Sequence, residues 1–400
     1  MRVLIVLRYF YCPSQPIGGA ERQALKLAQR LIERGVDVTM LSGQWEWGQP
    51  GREVIGGVPV RRHFTAWGMF NLRGLGRVSQ YLYMLTLFLY LLGHRNEYDF
   101  IHCHSAMFSA PIVALAGRVL HKRTLVRAMA SGVWGDIKRL REGEGGSIWG
   151  TRWMLRQLKD ADAIVALNPQ VIAELQEVGV SPERIVHIPN GVEVERIRPR
   201  TDYGVGGTVD LIFVGRLHPQ KGVDTLLKAF QLVCEREAYS HLSWRLRLVG
   251  MGSRTRRAQF EALAEQLLGD SANCVEFVGQ VDDPFPFLAA SDIFILPSRS
   301  EGMSNALLEA MAHGLPCIAT DIPGNSDIIT PEKDGLLVRL DDPQDLAAAI
   351  GRLVTDQGLR ERLGRGAART VAERYSIAGT ADRYVALYTA LLQRPPYPTF

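Results

Sequence analysis

Short apolar runs alternate with longer helical patterns along the whole chain, and the alternation begins again half-way. Runs at 3–7, 36–41, 100–102, 124–127 and 163–166 are separated by helical patterns at 21–34 and 110–120 and by a long stretch reaching residue 159. The second series opens at 210–214 and continues through 222–237, 244–249, 255–268, 275–278, 293–296, 307–313 and 318–319. Strands apolar on both faces and joined by helices belong to parallel sheets covered by helices on both sides. The length of 400 residues exceeds what one core usually organises. An α/β protein with two doubly wound parallel-sheet domains is therefore expected, at 1–195 and 208–375. After residue 345 the pattern is helical. The amphipathic segment 375–392 is expected to return to the first domain, so that 376–400 pack back on it.

A weak internal echo supports two similar halves. The segments 160–169 (DADAIVALNP) and 290–298 (ASDIFILPS) each show a helix end, an Asp, a buried strand and a polar turn at its carboxyl end. Doubly wound sheets bind ligands at that end of their strands. With the Pro-, Gly- and charge-rich segment 189–207 as linker, a ligand is expected in the cleft between the domains.

The segment 298–316 (SRSEGMSNALLEAMAHGLP) carries the most specific chemistry. Glu301 and Glu309 lie on either side of a small-residue turn, Gly302-Met303-Ser304-Asn305, that opens a helix. Ser304 or Asn305 can cap it, and the remaining first-turn N–H groups with the positive helix end suit a phosphate. Helix side chains tilt back toward the N-terminus, so Glu309 leans toward the same place and can accept from a pair of hydroxyls such as a ribose diol. Glu301, before the first turn, can reach a second polyhydroxyl group. Two carboxylates flanking an anion hole describe a nucleotide-sugar site better than a hydride- or acyl-transfer site.

The segment 214–222 (VGRLHPQKG) follows the first strand of the second half. Gly215 permits a turn and close approach, while Arg216 and Lys221 offer a guanidinium fork and a point charge to a diphosphate. The plainer alternative is a turn with two solvated cations. In the first half, Gly19 belongs to the stretch 17–21 (IGGAE) between the first strand and helix, where bare backbone could approach a phosphate or sugar. It lacks the full G-x-G-x-x-G pattern of a dinucleotide site. His104, beyond the strand 100–102, is either a site residue or a structural histidine. The D-x-D match Asp160-Ala-Asp162, at a helix–strand junction, reads as coincidence. Trp45, Trp47, Trp67 and Phe70 among Arg61, Arg62, Arg73 and Arg77 form either an acceptor platform or packing with solvated neighbours. Residues 143–147 (GEGGS) look like a loop that could act as a lid.

Five scattered cysteines, Cys12, Cys103, Cys234, Cys274 and Cys317, form neither a C-x-x-C pair nor a ligand cluster with histidine, which argues against zinc or a disulfide framework. The N-terminal apolar run is too short for a signal peptide and the run 81–92 too short for a membrane span. A cytoplasmic protein is expected. Residues 1–200 hold 26 Lys and Arg against 17 Asp and Glu, the remainder 20 against 25. The basic half can attract an anionic partner, such as the inner face of a membrane or a phosphorylated acceptor. An Arg-rich solvated face is the alternative. Nucleic acid is not among the expected partners.

Together these segments closely resemble retaining glycosyltransferases of the family-four, group-one type, whose architecture of two Rossmann-like domains facing across a cleft is called GT-B. The resemblance is strongest over 211–337, through VGRLHPQKG, EFVGQV, the acidic motif, ATDIPGNSDII and DGLLV, and looser in the first half, through GGAE, the strand end at His104 and HIPNGV at 187–192. It implies that Arg216 and Lys221 bind the donor diphosphate with backbone amides of Gly302 to Asn305, that Glu309 takes the ribose hydroxyls and Glu301 the transferred sugar, and that Gly19 approaches the phosphates from the first domain. It implies no metal and no other cofactor beyond the nucleoside-diphosphate sugar as co-substrate. One departure stands out: many relatives carry a histidine at the end of the fourth strand of the first domain, and 126–131 (VRAMAS) has none, although Arg127 or Ser131 is close by.

The resemblance implies transfer of a glycosyl group to an acceptor hydroxyl with retained anomeric configuration, the barrier to departure of the diphosphate being lowered mainly by charge stabilisation. Arg216, Lys221 and the helix N-terminus would stabilise the charge growing there, and a donor phosphate oxygen would take the acceptor's proton. A glycan, a lipid-linked or a small-molecule acceptor fits cell-surface polysaccharide or glycolipid synthesis. An epimerase or phosphorylase on the same fold, and a non-catalytic binding subunit, are the alternatives.

Overall fold

The computed structural model describes residues 1–11, 18–65, 76–129, 135–146 and 149–395. They fall into two compact units, Met1–Asn190 with Ile377–Phe400, and Gly191–Ser376.

The first unit holds an eight-stranded sheet of β1 (Arg2–Val6), β2 (Asp37–Gln44), β3 (Arg52–Ile55), β4 (Val58–Phe64), β5 (Phe100–Cys103), β6 (Arg123–Ala128), β7 (Ala163–Ala166) and β8 (Ile185–His187), in the order β3-β4-β2-β1-β5-β6-β7-β8. All neighbours are parallel except β3, which pairs antiparallel with β4. The order reverses between β1 and β5, which makes the carboxyl ends of these two strands the switch point. The helices are α1 (Gly19–Glu33), α2 (Gly76–Gly93), α3 (Ser109–Leu120), α4 (Asp136–Gly146), α5 (Thr151–Lys159) and α6 (Pro169–Glu177). One face of the sheet packs Leu4, Ile101 and Val126 against Leu87, Val113 and Leu158 of the helices.

The second unit holds six parallel strands, β9 (Thr208–Val214), β10 (Ser243–Val249), β11 (Val275–Gly279), β12 (Ile293–Leu296), β13 (Cys317–Thr320) and β14 (Leu336–Val338), in the order β11-β10-β9-β12-β13-β14. Its helices are α7 (Val223–Cys234), α8 (Arg254–Leu268), α9 (Phe285–Ala289), α10 (Asn305–Ala312), α11 (Pro343–Thr355) and α12 (Gln357–Arg374). Here the order reverses between β9 and β12. The chain then closes with α13 (Ile377–Leu392), which belongs to the first unit. Its Ala381, Tyr384, Tyr388 and Leu391 pack with Leu27, Leu31 and Phe100, and Arg34 holds it by ion-pairing with Asp382 at 2.5 Å and donating to the Ala378 carbonyl at 2.8 Å.

The internal echo has a physical basis. Asp162, just before β7, accepts from the Thr124 N–H of β6 at 2.8 Å, and Asp292, just before β12, accepts from the Asp210 N–H of β9 at 2.9 Å. Each carboxylate also holds an arginine, Arg123 or Arg200. The acids therefore tie down the amino ends of their sheets, opposite the ends where ligands bind. That accounts for the D-x-D match, whose Asp160 pairs with Arg118 at 2.6 Å.

Several expectations need correction. Residues 191–195 lie with the second unit and not the first, because the Val192 N–H donates to the Tyr375 carbonyl at 2.8 Å and Val192 bridges Ser376. The arginines next to the N-terminal tryptophans are not loop residues: Arg61 and Arg62 lie in the hairpin β3–β4, and Arg62 is buried against Glu53. Trp45 is buried between Tyr9 and Tyr83, its indole N–H donating to the Arg8 carbonyl at 2.6 Å, so it is packing and not a platform. Trp47 is exposed. Trp67, Phe70, Arg73, Ile17, Cys12 and Ser131 lie outside the described residues, as do the side chains of Arg77 and of 143–146. The backbone of 143–146 closes α4 rather than looping, since glycine in a helix costs only about 1 kcal/mol relative to alanine.

Candidate donor site

Two segments far apart in sequence meet at the carboxyl ends of β9 and β12. The Gln220 carbonyl accepts from the Arg299 N–H at 2.8 Å, and the Gln220 side chain donates to the Ser300 carbonyl at 3.0 Å. The Arg299 guanidinium then spans the junction, donating to the Pro219 carbonyl at 2.5 Å, to both Asp224 oxygens at 2.9 and 2.7 Å and to Asp341 at 2.7 Å. Gly222 makes the approach possible: its φ is +65°, and a Cβ there would run into the Pro297 carbonyl.

This stapling sets Lys221 against Glu301 in an ion pair of 2.5 Å, with both side chains largely shielded from water. The cation expected to meet a diphosphate and the acid expected to meet a sugar thus hold each other. Arg216, just past Gly215 at the end of β9, is exposed and makes no hydrogen bond or ion pair among the described residues. Nearby His218 accepts from the Gln220 N–H on Nδ1 at 3.2 Å, and burial, then the charges of Arg216, Arg256 and Lys221, push its pKa down. The charges of these three cations make the surroundings of His218 locally positive.

Ser304 is the N-cap of α10, its hydroxyl accepting from the Leu307 N–H at 3.3 Å, while the Leu308 N–H bonds to the Ser304 carbonyl. Asn305 is the first helical residue. Glu301, Gly302, Met303 and Ser304 are buried, and Glu309 is half-buried one turn in. The Glu309 carbonyl accepts from the His313 N–H at 3.2 Å and from its Nδ1–H at 2.8 Å, which closes the helix after eight residues. Gly324 supports the acidic loop from beneath: a Cβ there would lie 2.6 Å from the Glu301 carbonyl oxygen. It is a supporting residue that the motif PGNSD carried in plain view and that no charge or spacing marked as part of a site.

In the first unit the candidates are disposed differently. Gly19 opens α1, with Gly18 as N-cap and the Glu21 carboxylate folded back over it, so that a Cβ at 18 would push that carboxylate aside. His104, at the carboxyl end of β5, is 2% exposed and accepts on Nε2 from Arg127, whose guanidinium also donates to Asn190. His104 is therefore the Nδ1–H tautomer. Arg127 is 3% exposed with no carboxylate against it among the described residues, and burial lowers its pKa. Asp136, which sequence reasoning missed, joins the ends of β5 and β6 by accepting from the Ala106 and Met129 N–H groups at 3.3 and 3.2 Å, and burial raises its pKa. An Asp opening a helix was the available signal.

Buried histidines give the first unit a pH signature. Burial pushes His102, whose Nδ1 meets the Tyr388 hydroxyl at 2.7 Å, down to about 3, and pushes His63 down to about 4. The unfolded chain takes up these protons below about pH 6.5 while the folded chain does not, so stability is complete above that value and is lost as pH falls toward 4. Each histidine should remove about 1.4 kcal/mol per pH unit across that window. Urea unfolding at pH 7.5, 6 and 5 checks this; His102→Gln should flatten the slope by one proton's worth, and an unchanged slope would contradict it.

Among the described residues no group of three or more His, Cys, Asp or Glu is placed to hold a metal ion. Residues 17–196 match the family model Glycosyltransferase Family 4, and residues 208–356 match Glycosyl transferases group 1. The chain is 30% identical over 404 residues to a D-inositol 3-phosphate glycosyltransferase of Acidothermus cellulolyticus, covering 94% of this chain and 87% of that protein. It is 27% identical over 311 residues to a UDP-Gal:alpha-D-GlcNAc-diphosphoundecaprenol alpha-1,3-galactosyltransferase of Escherichia coli, covering 75% and 77%. Its fold matches the sucrose-phosphate synthase of Thermosynechococcus elongatus with a TM-score of 0.78 at 23% identity, over 98% of both chains. With two Rossmann-like sheets of the GT-B type and both family models in sequence, the chain is an enzyme and belongs to the group 1, family 4 glycosyltransferases.

Proposed function

We propose that the chain transfers a glycosyl group from a nucleoside-diphosphate sugar to an acceptor hydroxyl, with retention of configuration and without a metal. The observation that carries this reading is the stapling of the 214–222 and 298–305 segments at the switch point of the second sheet. It gathers Arg216, Lys221, Glu301 and the start of α10 at one place. Arg216 and the helix N-terminus take the diphosphate, Lys221 is released to it from Glu301, and the freed Glu301 receives the hydroxyls of the transferred sugar. Glu309 takes the ribose. Cations and amide dipoles stabilise the departing diphosphate in the way a metal would, by fixed charge aimed where charge develops.

The first unit takes the acceptor, with the buried Arg127–His104 pair in place of the histidine that relatives carry. A glycan, a lipid-linked sugar or a phosphorylated polyol fits, in polysaccharide or glycolipid synthesis, which matches the names of the two relatives.

The test is thermal shift against a panel of nucleotide sugars, UDP-galactose and UDP-glucose first, followed by product analysis with acceptor by NMR. A single donor should raise the melting temperature. The new linkage should keep the donor's anomeric configuration, and turnover should survive EDTA. An inverted product or loss of turnover to EDTA would overturn the reading. Glu309→Ala should raise the donor KM about tenfold or more with a smaller change in kcat, since the ribose is held equally in ground and transition states.

A further inference from the structure

The second helix of the first unit is apolar on every side, yet only one side is covered. From residue 78 to 93, α2 carries no charged residue. Tyr83, Met84, Leu87 and Leu91 are buried in the core. Val78, Leu85, Leu89 and Leu92 point outward, and the middle two are 53% and 55% exposed. Spacings of seven, four and three place these four along one helical stripe. A helix apolar all round belongs inside a core or against another apolar phase.

The stripe continues sideways. Tyr81 stacks on Trp149, with ring centroids 6.2 Å apart, and its hydroxyl accepts from the Trp149 N–H at 2.6 Å. Trp149 is 58% exposed and precedes α5, whose outer face presents Trp153 between Arg152 and Arg156 while Met154, Gln157 and Leu158 face inward. No acid lies in α5, and Arg95 is exposed just beyond the other end of the stripe.

We infer that α2 and the outer face of α5 form a docking surface for an anionic lipid bilayer, with the helix lying in the plane of the interface. Tryptophans settle at headgroup level, leucines reach past them, and arginines meet lipid phosphates. Among the described residues no helix is long and apolar enough to cross a membrane, and the inner side of α2 is committed to the core. A second copy of the chain fits the same stripe less well, because a two-fold contact through it would bring Arg152 and Arg156 toward a like-charged copy. The inference goes beyond the transfer reaction and does not depend on it.

The test uses the full chain with vesicles of phosphatidylcholine alone or mixed with phosphatidylglycerol, read by co-sedimentation. The wild type should partition onto phosphatidylglycerol vesicles roughly tenfold more tightly than onto neutral ones, Leu85→Asp with Leu89→Asp should lose tenfold or more, and Arg152→Glu with Arg156→Glu should erase the preference for phosphatidylglycerol. Trp153→Ala, at a side chain 42% exposed, gives a milder loss should the double aspartate lower the melting temperature. Donor-induced thermal shift should be the same in all variants, which separates this question from that of catalysis. Equal partitioning of wild type and variants, no sedimentation of the wild type, or a wild-type dimer by light scattering that Leu85→Asp with Leu89→Asp disperses would each overturn the inference.

Discussion

Arg216→Ala is expected to lower kcat by about 10²–10³-fold, or about 3–4 kcal/mol of transition-state stabilisation, while leaving stability within about 0.5 kcal/mol. The asymmetry follows from where the side chain stands. Arg216 is exposed at the end of β9 and neither bonds nor pairs with any described residue, so the fold loses nothing when it goes. Its effect can come only through what it meets in solution. Arg216→Lys should recover part of the loss, because a point charge keeps the attraction but not the two-pronged geometry. Steady-state kinetics beside a thermal melt reads both quantities. Near-normal turnover, or a melting temperature that falls in step with activity, would refute the role.

Lys221→Met is expected to do both kinds of damage. Lys221 and Glu301 are a shielded pair in this structure, and truncating the lysine takes the ion pair away from a buried carboxylate, at a cost of about 2–5 kcal/mol. Turnover should also fall about 10²-fold or more, since the diphosphate loses a cation. The double variant Lys221→Met with Glu301→Gln separates the two effects. It should regain most of the stability, because the buried negative charge is gone with the cation, and none of the turnover. A chemical-denaturation cycle over the four proteins reads the coupling. Additive stability changes would mean the pair contributes nothing, and restored turnover would remove both residues from the reaction.

The fold was legible because its strands are apolar on both faces and its helices fill the intervals, a pattern that tertiary context reinforces. The short outer strands were less so. The hairpin β3–β4 was signalled by Gly56 and Gly57 between two β-branched runs, but the parallel rhythm left no place for an antiparallel edge. Single β8 and β14 strands of three residues carry too little pattern to register. At the site, residue types and the two motifs could be read, and so could the capping role of Ser304. The pairing of Lys221 with Glu301 could not, since eighty residues separate them and only the Gln220–Arg299 staple brings them together. Arg127, His104 and Asn190 pose the same difficulty: three strands' ends, distant in sequence, share one buried charge. Trp45 stayed open between two readings for a simpler reason, because a tryptophan next to arginines looks alike whether it faces a ligand or a core.

The helix α13, which completes the first unit, is made after the whole of the second. A ribosome adding about 5–20 residues per second needs about 10–40 s to travel from Asn190 to Leu392. Throughout that interval Leu27, Leu31 and Phe100 lack the cover that Tyr384, Tyr388 and Leu391 will bring, and the unit Gly191–Ser376 is completed before that cover arrives. The inserted middle can thus mature before the half that precedes it. A nascent chain stalled short of α13 should therefore recruit chaperones through an open apolar groove, and a stop codon at the end of the second unit should condemn the first to degradation.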